Sequence, residues 1–549
     1  MAKRAHSPVS LPLAKRPHTS SDTHIDPHKE RANFDSYLYD EIILVIFSYL
    51  SWTDLCSIQS INRNWYRLSL DNQLWKSLYL GEYGKTRLRG VRGYLGRTDG
   101  REVKPLPGRA KTHHEDTIRD WKWMFRISSN WRTGRCSLNS LASPPTSPSG
   151  SRSRSPVSHP NQNAPRAGTH AVLAGNIIIT AFSHPSSSPE ILLNTPSVIH
   201  RIQCPSSKGS NPVGITALAL DQSPPTDPHC IRLISFLSSG EFTVFLINHQ
   251  DVSQSTRLMS WVPVTQSSRT SPIIQAVYHH PLLVTLSESF YLSLYNLTSN
   301  TITHTQTLSS FTSFPPSSLV LSSTSPGMYK LVLAYAVPVY PQHWSIGATE
   351  LIISSSSSMT VDTSRTTKAF DVPQGWLNEQ KMKAVREQWL RKVARVADTQ
   401  TDGKWVVLAS SDPLCSSQQS PGTTKLGYRP SNLNSPSSLQ LYRLYLPSSS
   451  SPSSLPKLTF VRTLHGQMGP VSALTLADGR CVSLGVNGSI WVWDLEGGTG
   501  AEVSSGKSID PDDLGSLDVC PLIKGSVVFD ERQIISADDR GVEVRRFDV

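Results

Sequence analysis

Between residues 34 and 80 the apolar positions follow a helical period. Leu38, Ile42, Ile46 and Leu50 lie four apart, with Ile43 and Phe47 beside them, which predicts an amphipathic helix of about three to four turns. Ser51-Trp52-Thr53-Asp54 supplies capping oxygens for a second short helix, Leu55 to about Ser60. A third run carries Trp65, Tyr66 and Leu68. Asp71-Asn72 can cap a fourth, which carries Leu74, Trp75 and Leu78 and is expected to stop at Gly81. Fewer than fifty residues thus hold three tryptophans and about a dozen large aliphatics, more than so small a unit can bury by itself. The surplus predicts a face for docking another protein.

From Thr169 onward the pattern changes to short strands broken by Ser/Pro/Asn/Gly turns. The clearest stretch, Val461–Gly497, reads as four strands: Val461–Leu464, Val471–Leu476, Cys481–Leu484 and Ser489–Asp494. Asp478-Gly479 and Asn487-Gly488 turn between the last three. The scheme repeats in Ile534-Ile535-Ser536, an Asp538-Asp539-Arg540-Gly541 turn and Val542–Phe547. Weaker units fall at 171–193, 213–247, 273–297, 316–353 and 405–446, which makes about seven in all. Gln374–Ala397 reads as an inserted, exposed amphipathic helix with Trp376, Leu377, Met382, Val385 and Trp389-Leu390.

Two architectures suit such strands, a propeller or two stacked sandwich sheets. The repeated Ser…Asp/Asn-Gly…Trp/Phe-Asp ending favours the propeller. A propeller closes by overlap of its two ends. Val542–Phe547 would meet a segment near Arg135–Leu138 or Ala171–Leu173.

Composition bounds the rest. Apolar content is 38% of 549 residues, with 39 prolines, so linkers and loops take a large share. The expected organisation is a disordered basic tail over 1–33, the helical unit over 34–80 and a basic connector with a Trp-rich helix over 81–138. A disordered Ser/Pro linker over 139–168 and the β-domain over 169–549 follow. The longest apolar runs, Ile42–Phe47 and Leu331–Val337, fall short of a membrane span. Residues 1–18 lack a secretory core segment. No membrane association is expected, and the site of action is the nucleus, the cytoplasm or both. Lys3-Arg4 and Lys15-Arg16 have the form of a bipartite import signal, or of a solvated basic tail. Ser143, Ser147 and Ser155 precede prolines, as proline-directed kinases require.

Charge is uneven. Residues 1–136 carry 23 Lys/Arg against 14 Asp/Glu, whereas 171–549 carry 27 against 28. The excess belongs to the N-terminal third, and no nucleic-acid recognition motif accompanies it, so nucleic acid is not the expected partner. The seven cysteines stand singly, without metal or redox spacing. His113-His114-Glu115-Asp116 is contiguous in a polar stretch and has no partner cluster. No nucleophile elbow, phosphate loop or zinc-helix motif is present. Neither catalysis nor a cofactor is expected.

The helical segment resembles the F-box. The matching residues are Leu38, Glu41, Ile42-Ile43, Ile46-Phe47-Ser48-Tyr49-Leu50, Asp54-Leu55, Asn62-Arg63-Asn64-Trp65 and Leu74-Trp75. Tyr39 stands where the family has proline. Asn130-Trp131-Arg132-Thr133-Gly134-Arg135-Cys136 resembles the segment that joins an F-box to a WD-repeat propeller, and Val461–Gly497, ending in Trp493-Asp494, resembles a WD repeat. Of that repeat's buried polar network, Trp493 and Ser483 match, Asn487 replaces the usual Asp and Gln467 replaces the His. A looser blade is expected from those two changes.

The whole resembles F-box/WD-repeat substrate receptors of SCF ubiquitin ligases. The resemblance implies an all-α F-box followed by an all-β propeller of about seven blades. Leu38, Tyr39, Ile42, Ile46, Phe47, Leu50 and Trp65 would dock on a Skp-family adaptor carried by a cullin scaffold. The propeller's top face would hold an unidentified protein substrate. Arg462, Arg480, Arg532, Arg540, Arg545 and Arg546 are the candidates for any phosphate pocket, with Arg545 and Arg546 on opposite strand faces. A scaffold that recruits the adaptor without substrate turnover, or an RNA-associated nuclear propeller, are the alternatives.

Overall fold

The computed structural model describes residues 37–83, 120–142, 168–207, 211–224, 229–263, 271–298, 301–340, 342–355, 359–371, 375–411, 436–447, 455–477, 479–506, 525–538 and 541–549. The two basic tail clusters, His113–Asp116, the three Ser-Pro sites and Arg540 lie outside them. The chain divides into two compact units, 1–74 and 75–549.

The first unit is helical. α1 (Asp40–Phe47) begins after Tyr39, whose backbone is extended and whose side chain makes no cap. α2 (Trp52–Ser57) is capped by Ser51, whose hydroxyl accepts from the Asp54 N–H, and a 3₁₀ turn, Ile58–Ser60, continues it. α3 (Arg63–Ser69) is capped by Asn62. α4 (Asn72–Tyr83), whose residues 75–83 belong to the second unit, has the Asp71 carboxylate accepting from the Gln73 and Leu74 N–H groups. It runs through Gly81 instead of stopping there, because nothing forces a left-handed turn at that residue. Ile43, Phe47, Leu55 and Leu68 are buried. Phe47 and Trp65 meet edge to face at 5.6 Å, and Arg67 pairs with Asp40 at 2.6 Å to tie α3 to α1.

The described strands of the second unit form seven four-stranded antiparallel sheets. Six are built from consecutive strands, at 169–203, 215–261, 273–309, 314–368, 396–468 and 471–504. The seventh takes three strands from 526–546 and its outermost from Ser137–Ala142, which pairs antiparallel with Gly541–Arg546. This is a seven-bladed propeller closed by overlap of distant segments, and the sandwich alternative falls. Residues 139–142, expected in a disordered linker, are therefore a blade strand. Their alternation, short and serine-rich, is satisfied by the partner strand.

A second correction concerns Val461–Gly497. Its first strand, observed as Lys457–Met468, is the outermost strand of the fifth blade, paired with Pro436–Tyr445. The other three are inner strands of the sixth blade, whose outer strand is Thr499–Ser504. The repeat in sequence is offset from the repeat in space by one strand.

Neighbouring blades are tied at the innermost strands by side chains. The buried Asp398 carboxylate accepts from its own neighbour Thr399 N and, across to the sixth blade, from Leu474 N, both at 2.8 Å. Ser318 Oγ accepts from Thr401 N at 3.2 Å, and Gln275 and Ser317 exchange hydrogen bonds. A cavity of about 210 Å³ at these inner strands is lined by residues such as His170, Gln275 and Gln400, without a convergent acid–base set.

Candidate docking surfaces

α1 carries two apolar stripes, and only one is used internally. Ile43 and Phe47 point inward. Ile42, Val45, Ile46 and Tyr49, spaced i, i+3, i+4, i+7, form an exposed ridge, with Tyr39 exposed at its head. Leu38, Leu50 and Trp65 are half-buried at the margins. Of the residues expected to dock, Phe47 is misplaced: at 2% exposure it belongs to the helical core. Val45 and Tyr49 are the ridge members that the four-residue spacing did not single out. Trp52, Ile61 and Tyr66 add exposed apolar surface in the same unit.

A buried polar network joins Gln467 and Met468, on the outermost strand of the fifth blade, to the sixth blade. Trp493 Nε1 donates to Ser483 Oγ at 3.1 Å, so the Ser483 hydroxyl proton goes to Gln467 Oε1 at 2.6 Å. Gln467 Nε2 then donates to Ser489 Oγ at 2.6 Å, and the Ser489 N–H donates to Asn487 Oδ1 at 3.0 Å. Asn487 Nδ2 and Ser489 Oγ both donate to the Met468 carbonyl at 3.3 Å. All five residues are buried. Ser489 is the link the sequence reading missed, and it lets Gln467 and Asn487 replace the family's His and Asp without an orphaned atom. Gly485 makes room for the network: a Cβ there would lie 2.5 to 2.7 Å from Ser489 Oγ, Asn487 Oδ1 and Gln467 Nε2.

Strand order separates the connections into two faces. Within an antiparallel blade, the link between second and third strands and the link to the next blade emerge together, here called the top; the other turns emerge at the bottom. At blades six and seven the bottom is covered by the chain itself. α5 (Trp121–Thr133), capped by Asp120 and ended by left-handed Gly134, lies on blades six and seven. Trp131 stacks on Phe547 at 4.0 Å and donates from Nε1 to the Glu531 carbonyl at 2.8 Å. Arg480 caps the same ring at 4.3 Å. Asn130 Nδ2 donates to the Phe547 carbonyl at 2.9 Å and Arg126 to that of Asp548 at 2.8 Å. The other side of α5 takes Trp75, Tyr79 and Tyr83 of α4 in ring contacts of 5.4 to 5.6 Å, with Arg132 bonded to Glu82.

Among the described residues the candidate phosphate arginines do not converge. Arg480 is spent on Trp131, Arg532 lies over the Trp123 ring, and Arg462 donates to the Gly497 carbonyl. Buried Arg545 is held by Ser536, Ser504 and Glu543, while Arg546 is partly exposed. No group of His, Cys, Asp and Glu among the described residues could hold a metal ion. No described helix is long and apolar enough to cross a membrane.

The top face is different. Phe311, in the link into the fourth blade, is 92% exposed, and Tyr340, at the tip of the Met328–Val339/His343–Ser354 hairpin, is 84% exposed. The link from fourth to fifth blade carries Trp376, 95% exposed, and α6 (Glu379–Leu390), none of whose residues is buried. α6 is anchored near its C-terminal end. Trp389 meets Phe370 at 5.5 Å, Arg391 stacks on Phe460 at 4.2 Å, and Val393 bridges to Trp344 with backbone hydrogen bonds of 2.7 and 2.9 Å.

Comparison with known proteins agrees with this architecture. A family described as F-box-like matches residues 40–81. Among solved structures, Saccharomyces cerevisiae Sqt1 is 8% identical, covering 68% of this chain and 92% of that one, with a TM-score of 0.35. The WD40 β-propeller domain of Doa1 is 10% identical, covering 70% and 94%, with a TM-score of 0.34. These structural likenesses are too distant to carry an argument. Comparison with the curated proteins finds no match. The family described as F-box protein pof12 beta-propeller matches residues 176–542, two thirds of the sequence, and the chain belongs to it.

Proposed function

We propose that this protein is the substrate-recognition subunit of an SCF-type ubiquitin ligase and contributes no bond-making group of its own. The observation that carries the reading is the exposed ridge Ile42–Val45–Ile46–Tyr49 beside the buried Ile43 and Phe47. A helix with apolar residues on both sides is half-solvated unless a second protein covers the outer one. The Skp-family adaptor is that partner, with the cullin behind it. Each ridge side chain covered is worth about 1.5–3 kcal/mol of transfer free energy as an upper bound. The propeller then holds a protein substrate beside a charged conjugating enzyme, and rate comes from raised effective concentration.

The test is capture of recombinant adaptor by the full chain. Ile46→Asp puts a charge on the ridge without touching the Ile43–Phe47 side, and capture should be lost. Undiminished capture by this variant would remove the reading. Adaptor without cullin in the recovered complex would favour an assembly scaffold.

A further inference from the structure

α6 and its surroundings have a composition that the blades do not need. Between residues 379 and 395 there are six Lys/Arg and two Glu, in a domain whose 171–549 charge is close to balanced. Lys381, Lys383 and Arg386 are exposed, and among the described residues none is paired with a carboxylate. Lys383, Arg386 and Leu390 lie on one ridge of the helix, spaced i, i+3, i+7, with Leu390 exposed. Trp376 precedes them. Phe311 and Tyr340 emerge on the same top face by the strand order. Burying none of its residues, the helix adds little to the propeller's core, so its stabilisation is small against the order it requires.

A ridge on which Lys383 and Arg386 make no ion pair among the described residues, with Leu390 exposed on it and Trp376 exposed just ahead of it, is complementary to one kind of partner. We propose that the top face around α6 docks an acidic segment of a substrate protein that also carries apolar anchors, its carboxylates on Lys383 and Arg386 and its apolar side chains on Trp376 and Leu390. Double-stranded or single-stranded nucleic acid fits less well. The basic groups form a short ridge, not a track along a groove, and Arg462, Arg480, Arg532 and Arg545 are engaged by neighbouring groups. The assignment rests on the substrate-receptor reading for the identity of the partner as a substrate, but its chemistry stands on this surface alone.

The experiment uses the full chain and a defined probe, a fluorescein-labelled peptide of about fifteen residues alternating glutamate with leucine and tryptophan. Its glutamine analogue and a single-stranded oligonucleotide serve as competitors. Anisotropy at low salt should show saturable binding of the acidic peptide, weakened by salt and at least about tenfold weaker for the glutamine analogue. Lys383→Glu with Arg386→Glu should reduce affinity about tenfold or more and shift preference to a lysine version of the peptide. Both residues are exposed and unpaired, so the fold is not at stake; the milder Lys383→Gln with Arg386→Gln gives an intermediate loss. Trp376→Ser should weaken the acidic and glutamine peptides alike.

Equal binding by the reversal variant, or tighter binding of the oligonucleotide, would overturn the proposal. So would peptide binding that appears only after deletion of 507–524, an acidic-apolar stretch of this chain, since the site would then belong to that segment. Adaptor capture read in parallel separates the two claims. Loss of peptide binding with adaptor capture intact sinks the docking surface alone, and the converse sinks only the ligase reading.

Discussion

Ser483→Ala tests whether the polar chain from the outermost strand of the fifth blade ties it to the sixth blade. The substitution removes the only described acceptor of Trp493 Nε1 and the donor to Gln467 Oε1. Both atoms belong to fully buried side chains, and a methyl group satisfies neither. At about 1–3 kcal/mol for each stranded buried group, the expected cost is roughly 2–6 kcal/mol. Gln467→Leu removes two bonds of 2.6 Å but strands less. Ser483 Oγ still accepts from Trp493, and Ser489 still has the Met468 carbonyl. About 2–3 kcal/mol is expected there. The double variant should cost clearly less than the sum, since each change removes a partner the other would strand, and a coupling of at least about 1 kcal/mol follows. A chain with separate units does not unfold in one step, so the readout is native-state hydrogen exchange at the amides of Cys481–Leu484. Loss of protection below about 0.5 kcal/mol for Ser483→Ala, or simple additivity in the pair, would refute the view that this network ties the two blades.

Other outcomes follow from the same geometry. Tyr39 already has φ of −68°, the value proline imposes, so Tyr39→Pro should leave adaptor affinity intact and stabilise the helical unit slightly, by about 0.4–1 kcal/mol. Trp131→Ala empties the space against Phe547 and frees the Glu531 carbonyl; about 3–5 kcal/mol should be lost, seen as early melting of blades six and seven. Burial holds the Asp530 carboxyl above its usual range although it accepts from the Arg532 and Gln533 N–H groups. Its folded pKa is raised, so the wild type gains stability as Asp530 protonates and loses it as pH rises through the folded value. Asp530→Asn keeps an acceptor without the charge. It should therefore be at least as stable as wild type at pH 7, with that advantage vanishing as the pH is lowered through the raised pKa; an advantage that grows on acidification would contradict the assignment.

The helical period located α1 and its partners but could not say which of two adjacent apolar stripes faces out. Ile42 and Ile46 are as hydrophobic as Ile43 and Phe47, and only the position of α3, fixed by the Phe47–Trp65 contact and the Asp40–Arg67 pair, makes the second stripe the inner one. Strand alternation in Val461–Gly497 was legible for a similar reason, yet its grouping into blades was not. Turn chemistry at Asn487-Gly488 marks where strands reverse, whereas the assignment of Lys457–Met468 to the preceding blade depends on its long-range partner, Pro436–Tyr445. Ser137–Ala142 was harder still. Six residues of SLNSLA in a serine-rich stretch carry little signal, and what makes them a strand is the unpaired edge of Gly541–Arg546 some four hundred residues away.

Trp131 and Trp376 show why exposure, more than residue type, separates scaffold from docking surface in this chain. Both are tryptophans in connections outside the regular blades. The bottom-face ring has a stacked phenylalanine, an arginine above it and a carbonyl for its N–H, so its free energy is already committed to keeping α5 in place. The top-face ring is 95% exposed, in a link that also leaves Lys383, Arg386 and Leu390 open to solvent. A propeller needs neither feature to close its ring, as its other six inter-blade links carry no helix among the described residues. An insertion that costs conformational entropy and covers no core gains stability only when something else lies on it, which places the next informative structure at α6 with an acidic peptide bound.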